Sequence, residues 1–206
     1  MHKAIIFDVD GTLVHTSPEY PKKIVNEILI GCGKPPAADD DIEAFWFGED
    51  REGCVQRWGV PVAEWWRLWI EKDTLQAFNA FVSTYPDVGF LDVLAKRYRL
   101  GILTGAHPGR AMYEIGLIGE EKFASIVITY ERGVQSKPHP EGMHVCLSEL
   151  AVQPSEAVFV GNGPEDIGCA KAAGVLDVWL DRGEYDHGVA ASITIKDLHE
   201  LERYLE

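Results

Sequence analysis

Asp8-Val9-Asp10-Gly11-Thr12 follows the apolar run Ala4-Ile5-Ile6-Phe7 without a break. A buried strand of that kind delivers two carboxylates to its C-terminal end, and Gly11 permits a sharp turn directly after them. In parallel α/β sheets ligands bind at that end of the strands. Paired acids there suit metal ligation, nucleophilic attack by the first carboxylate, and proton transfer by the second. Ordinary turn chemistry, which also favours Asp and Gly after strands, accounts for the segment about as well when it is taken alone.

Three further polar stations follow apolar runs. Leu100–Leu103 leads into Thr104 and Gly105, whose hydroxyl and backbone N–H suit a phosphate oxygen; Thr-Gly is equally common as a plain turn. After Ser125–Ile128 comes Ser136-Lys137-Pro138-His139-Pro140, where Pro138 drives Lys137 toward an extended backbone. An ammonium so placed can reach across a cleft, although most lysines are solvated surface groups. After Ala157–Val160 comes Gly161-Asn162-Gly163-Pro164-Glu165-Asp166, with Asn162 at the strand end and Asp166 in the first turn of a helix. Oxygens from Asn162 and Asp166 can complete an Mg²⁺ site begun by Asp8; helix capping and dipole complementarity are the plainer alternatives. Each station has an ordinary explanation, but four in this order, each behind an expected strand, are not independent accidents.

The elements that must position these groups are legible. Ala4–Phe7, Leu100–Leu103, Ser125–Ile128, Ala157–Val160 and Val175–Leu180 read as short buried strands, and Gly109–Leu117, Pro140–Leu150 and Pro164–Ala173 as helices between them. The alternation predicts an α/β fold, a doubly wound parallel sheet. Between Leu13 and about Tyr85 the rhythm stops and no strand is expected. Ser17-Pro18-Glu19 reads as N-cap, N1 and first turn of a helix ended by Gly31 and Gly33; Asp39-Asp40-Asp41 reads as the cap of a second; a third begins near Pro61. Residues 15–85 are therefore expected to form a small all-helical domain inserted after strand 1, with 1–14 and 86–206 as the α/β core. Trp46, Trp58, Trp65, Trp66 and Trp69 lie in the insert and read chiefly as its core.

With 206 residues, 46% hydrophobic and 25% charged, the chain can build a sizeable core. A formal charge of −14 argues against nucleic acid and anionic membranes as partners. Cys32, Cys54, Cys146 and Cys169 form no C-x-x-C pair, which predicts neither a zinc site nor a disulfide framework. No leader or membrane-length segment stands out, and the expectation is a cytoplasmic protein. Oligomeric state is unreadable.

Taken together, DVDGT at Asp8–Thr12, ILTG at Ile102–Gly105, SKPHP at Ser136–Pro140 and VGNGPEDIGCAKAAG at Val160–Gly174 resemble the four motifs of the haloacid dehalogenase-like hydrolases, in particular phosphoglycolate phosphatase-like members with a small helical cap. The resemblance implies a Rossmann-like core and an Mg²⁺-dependent phosphatase acting on a small phosphorylated metabolite. It implies Asp8 as nucleophile forming an aspartyl-phosphate, and Asp10 as proton donor and then base, its carbonyl also on Mg²⁺. Thr104 and the Gly105 amide would hold phosphoryl oxygens, and Lys137 would stabilise charge; Asp8, Asp10, Asn162 and Asp166 are the metal ligands it points to. Three positions depart from the pattern: Asn162 stands where Asp is usual, Gly105 where Asn is common, and His15 where an acid is frequent. The amide at Asn162 lacks a full negative charge, so Mg²⁺ affinity is expected to fall, with Asp166 taking over directly or through water. In the cap, Phe45-Trp46-Phe47-Gly48-Glu49-Asp50-Arg51 is the stretch expected to face the cleft. Arg51 either binds a substrate anion or pairs with Glu49 or Asp50 as a solvated arginine. Hinges are expected at Val14–Ser17 and Thr84–Asp87. A 2-haloacid dehalogenase of the same fold and a weakly active or non-catalytic binding protein are the alternative functions.

Overall fold

The computed structural model describes residues 1–206 apart from 49, 185–187, 189 and 206. It divides into two compact units, Met1–His15 with Ser83–Glu206, and Thr16–Val82.

The inserted unit carries helices α1 (Glu19–Gly31), α2 (Asp39–Phe47), α3 (Arg51–Arg57), α4 (Val62–Lys72) and α5 (Leu75–Phe78). Its centre is aromatic. Phe45 and Trp65 are buried, and the Phe45 ring lies 5.4 Å from Trp58, 5.4 Å from Trp65 and 5.3 Å from Trp69. The tryptophans thus fill a small bundle, where large rings supply more buried area per residue than aliphatic side chains. Two caps differ from expectation. Pro18 rather than Ser17 is the N-cap of α1, with the Ser17 hydroxyl accepting from the Glu19 N–H. Asp39, Asp40 and Asp41 occupy the first turn of α2 behind Ala38, favourable to the helix dipole without capping it.

The larger unit holds a six-stranded sheet. Its strands are β1 (Ala4–Phe7), β4 (Arg99–Thr104), β5 (Phe123–Ile128), β6 (Ala157–Gly161), β7 (Leu176–Leu180) and β8 (Ile193–Ile195); β2 (Val14–Thr16) and β3 (Val82–Thr84) lie where the chain crosses between units and pair as a separate two-stranded sheet. These two strands correct the expectation of none between Leu13 and Tyr85, and β8 was not expected either. At three residues each, they are too short for a readable period. Helices α6 (Leu91–Leu94), α7 (Pro108–Ile118), α8 (Thr129–Arg132), α9 (Glu141–Glu149) and α10 (Pro164–Ala173) accompany the sheet. No helix among the described residues is long and apolar enough to cross a membrane.

The order β5-β4-β1-β6-β7-β8 is parallel throughout. The chain builds outward from β1 through β4 and β5, then returns to build the other side through β6, β7 and β8. Strand order therefore reverses at β1, whose carboxyl end is a switch point of the kind that binds ligands. Every residue of β1 is fully buried, which explains its unbroken apolar sequence. Phe7 registers with Ile102 on β4 and with Val160 on β6, so the three strands end side by side and the turns after them share one edge. This is the doubly wound α/β core with a helical insertion after its first strand.

Candidate active site

Asp8 is the first residue beyond β1, and its amide donates to the Val160 carbonyl (3.0 Å) on the neighbouring strand. The turn that follows is tight. Thr12, Leu13 and Val14 amides all donate to the Val9 carbonyl, and the Gly11 amide donates to the Val14 carbonyl. Gly11 has φ of 78°, and a Cβ there would lie 2.2 Å from Asn162 Nδ2. Glycine is thus required twice, by backbone conformation and by close approach.

The Asp8 carboxylate is almost wholly buried and held at both oxygens. Lys137 Nζ donates to Oδ1 at 2.6 Å, and the Thr12 hydroxyl lies 3.1 Å from Oδ2. Lys137 also donates to Asp166 Oδ1 at 2.6 Å, so one ammonium sits between two carboxylates. The peptide between Lys137 and Pro138 is cis. Burial pushes the Asp8 carboxyl up to about 7, with Asp166 reinforcing and the Lys137 ammonium opposing. Burial works to lower Lys137, but the Asp166 and Asp8 carboxylates outweigh it and leave it raised. The lysine is therefore a fixed cation at neutral pH.

Asp166 was expected near a metal. Both its oxygens are engaged otherwise: Oδ1 with Lys137, and Oδ2 with the amides of Asn162 (3.1 Å) and Gly163 (3.0 Å). It is 1% exposed and sits in the first turn of α10, where a carboxylate also meets the positive helix end. A Cβ at Gly161 would lie 2.4 Å from Asp166 Cβ, so glycine lets this carboxylate tuck beneath the strand end. Its structural work is to aim the lysine and close the β6–α10 turn.

Asn162 reaches the same place from β6. Its Oδ1 is 3.2 Å from the Thr12 hydroxyl, and its carbonyl accepts from Trp179 Nε1 at 3.1 Å. Thr104 ends β4, is 2% exposed, and its hydroxyl accepts from the Ala106 amide at 3.1 Å. That bond leaves the hydroxyl hydrogen for another acceptor. Asp8, Thr12, Lys137, Asn162 and Asp166 are thus one hydrogen-bonded group. Thr104 and Gly105 stand at the end of the neighbouring strand, and Asp10 stands in the turn itself. His15 is not among them; its Nδ1 lies 3.0 Å from Glu184 Oε1. Arg51 belongs to the inserted unit, where it is exposed and donates to the Trp46 carbonyl at 3.1 Å. Glu49, one suggested partner for it, lies outside the described residues.

The donor set suits Mg²⁺ in kind. The Asp8 carboxylate, the Asp10 carbonyl and Asn162 Oδ1 are all hard oxygens, and the shared contact with Thr12 keeps the Asp8 and Asn162 oxygens together. Mg²⁺ accepts one or two carboxylates and completes its shell with water and phosphate. Among the described residues no group of three or more His, Cys, Asp and Glu gathers as for a metal; the candidate donor set would use an amide and a backbone carbonyl beside the Asp8 carboxylate.

A fully buried acid on α7, Glu114, escaped the sequence reading. Neither of its carboxyl oxygens has a hydrogen-bond partner. Burial raises it to about 9, with Asp10 and then Asp8 reinforcing and Arg110 opposing. Its sequence context is an ordinary helical Glu, so no local signal marks it.

A family model for haloacid dehalogenase-like hydrolases matches residues 2–174. The chain belongs to this family. Membership makes it a hydrolase, and the matched span contains all four strand-end stations. This HAD-like hydrolase is 28% identical over 211 residues to a phosphoglycolate phosphatase of Pectobacterium atrosepticum, covering 95% of this chain and 87% of that protein. It is 27% identical over 186 residues to the pyrophosphatase PpaX of Oceanobacillus iheyensis, covering 84% of this chain and 80% of that one. The crystal structure of a HAD-superfamily hydrolase, subfamily IA, variant 1, from Geobacter sulfurreducens superposes with a TM-score of 0.76 at 23% identity, covering 100% of this chain and 97% of that one, a likeness of fold.

Proposed function

We propose that this HAD-like hydrolase is an Mg²⁺-dependent phosphatase that cleaves a small-molecule phosphomonoester through an aspartyl-phosphate on Asp8. The observation that carries the reading is the state of Asp8: a buried carboxylate at the switch point, oriented by Lys137 at 2.6 Å and by Thr12 at 3.1 Å, with a second acid two residues on. Phosphoryl transfer depends on positioning and charge neutralisation, and this arrangement supplies both. An Asp8 oxygen bonds to phosphorus as the bond to the leaving oxygen breaks, and Asp10 gives that oxygen its proton. Asp10 then takes a proton from water, whose oxygen attacks phosphorus and frees Asp8. Lys137 offsets charge on Asp8 and on the transferring group, Thr104 and the Gly105 amide hold its equatorial oxygens, and Asp166 keeps Lys137 aimed. Asp8, the Asp10 carbonyl and Asn162 would hold Mg²⁺, which supplies further charge neutralisation at the phosphoryl group. The names of the relatives make phosphoglycolate and pyrophosphate the first substrates to assay. The test is hydrolysis of p-nitrophenyl phosphate with and without Mg²⁺, beside Asp8→Asn. Activity that requires both Mg²⁺ and Asp8 is expected; substantial turnover by Asp8→Asn overturns the nucleophile assignment.

One observation favours a second reading. The proposed metal corner just beyond β6 is a neutral amide already within reach of the Thr12 hydroxyl, which suits a metal-free 2-haloacid dehalogenase. Against it stands Asp10, since a leaving halide needs no proton. Halide release from 2-chloropropionate without Mg²⁺ decides for the dehalogenase. Normal folding with no Mg²⁺ binding by calorimetry and no turnover on either substrate points instead to a binding protein.

A further inference from the structure

Arg182, just beyond β7, carries no part of the site described above, yet its guanidinium is spent on the turn that holds the nucleophile. Nε and Nη2 both donate to the Thr12 carbonyl, at 3.3 and 2.7 Å. Nη1 donates to Asp87 Oδ2 at 2.8 Å, and the same oxygen accepts the Leu198 amide at 2.8 Å. The guanidinium lies over the Tyr85 ring, 4.0 Å from its centroid. The side chain is 9% exposed and that of Asp87 5%. A surface arginine holding a stray carbonyl would not be so enclosed, nor so fully used.

The position of each partner matters. Thr12 gives its carbonyl to Arg182 and its hydroxyl to Asp8 Oδ2 and Asn162 Oδ1. The chain leaves the core for the insert through β2, which begins at Val14, and returns through β3, which ends at Thr84. Tyr85 follows at once, its amide bonded to the Leu13 carbonyl at 3.1 Å, and Asp87 comes two residues later. Arg182 therefore ties the nucleophile turn to the point where the insert rejoins the core. Only a planar guanidinium can fork two N–H groups onto one carbonyl, give a third to a carboxylate and stack on a ring at once. Lysine keeps the charge and loses the fork.

We infer that Arg182 is a positioning residue for the hydrolytic reaction: by fixing the Thr12 carbonyl it sets the place of the Thr12 hydroxyl, and through it the attack geometry of Asp8. The inference rests on the phosphatase reading. It predicts a loss in turnover with little change in substrate affinity, because Arg182 touches neither the phosphate-holding groups nor, in this reading, the substrate. A displacement of about 1 Å at a reacting group costs on the order of 100-fold in rate.

The experiment is steady-state hydrolysis of p-nitrophenyl phosphate by the wild type, Arg182→Lys and Arg182→Ala, each checked by thermal melting and near-UV circular dichroism, with and without millimolar guanidinium. In folded variants kcat is expected to fall at least tenfold with KM changed less than threefold. Added guanidinium should restore part of the kcat of Arg182→Ala and leave Arg182→Lys unchanged. An unaltered kcat in folded Arg182→Lys overturns the inference, as does a loss confined to KM. If Arg182→Ala fails to fold, Arg182→Lys alone carries the test, because the retained charge and stem preserve most packing. An inactive wild type defeats the phosphatase reading instead, and the two failures are told apart by that control.

Discussion

Replacing Glu114 with Gln gives the most direct test of the electrostatics beneath the site. Glu114 ionises near its ordinary 4.5 in the unfolded chain and is raised to about 9 when folded. Between those values the folded protein holds a proton that the unfolded chain has released. Stability must therefore fall as pH rises through this window, by about 1.4 kcal/mol for each pH unit. Gln has nearly the same shape and no proton to lose, so Glu114→Gln abolishes this dependence. From pH 5 to pH 8 the variant should gain about 4 kcal/mol on the wild type. All other titrating groups are common to both proteins and largely cancel in the difference. The assay is urea unfolding of both proteins at half-unit steps from pH 5 to pH 8, following the tryptophan fluorescence and far-UV circular dichroism of one cooperative transition. A constant offset between the curves carries no weight, because Gln leaves its own buried amide without partners. Only the divergence counts, and parallel curves would refute the claim that Glu114 is buried and protonated. Glu114→Leu adds a second arm: with no polar atom to desolvate it should exceed wild-type stability, and by more at pH 8 than at pH 5.

Other perturbations reach the site from different sides. Asp166→Asn removes one of the two carboxylates on a buried ammonium, so it should cost about 3 kcal/mol in urea unfolding, lower kcat, and move the acidic limb of the pH–rate profile to lower pH, since Asp166 helps hold Asp8 up near 7. Asn162→Asp adds a charge to the metal corner and should lower the Mg²⁺ concentration for half-maximal activity at least tenfold, a change of about 1.4 kcal/mol, read from Mg²⁺ titrations of p-nitrophenyl phosphate hydrolysis. Arg51→Ala should raise KM for the physiological phosphoester severalfold and leave p-nitrophenyl phosphate untouched; equal effects on both substrates dispose of a role for Arg51 in recognition.

What the sequence disclosed divides by physical range. The strands of the core announce themselves because residues such as Ile5, Ile6 and Phe7 are buried on both faces and must all be apolar, a local rule visible in four letters. Asp8, Thr104 and Asn162 are legible for the same reason, since each stands at the end of its strand or directly after it, whereas Lys137 follows β5 only after α8. The three-residue strands β2, β3 and β8 hold their place by pairing with distant partners, and nothing within VHT, VST or ITI shows it. Lys137 and Asp166 were both legible as candidates, but not their pairing: Asp166 reads locally as a helix-start acid or a metal ligand and becomes a lysine partner only in the folded chain. Arg182 and Glu114 were invisible for a stronger reason. The arginine acts on Thr12, 170 positions away in the chain, and the glutamate looks like any helical Glu until its burial is known.

The charge count at the site explains how an amide at position 162 is tolerated. Asp8 and Asp166 share one lysine, and Glu114, raised to about 9, stays neutral at physiological pH. With Asp8 ionised, the buried group of Asp8, Lys137 and Asp166 carries one net negative charge, and its hydrogen bonds to Thr12 and to the amides of Asn162 and Gly163 help to stabilise it. A carboxylate in place of Asn162, beside the Thr12 hydroxyl that also meets Asp8, would raise that to two negative charges near a single ammonium, a repulsion that low dielectric magnifies. Such a site needs a divalent cation to be comfortable even before substrate arrives. With Asn162 the hydrogen-bonded frame is close to balance without one. In the proposed phosphatase the amide would trade metal affinity for a self-sufficient frame, and the requirement for Mg²⁺ would belong to the moment when the dianionic phosphoryl group enters.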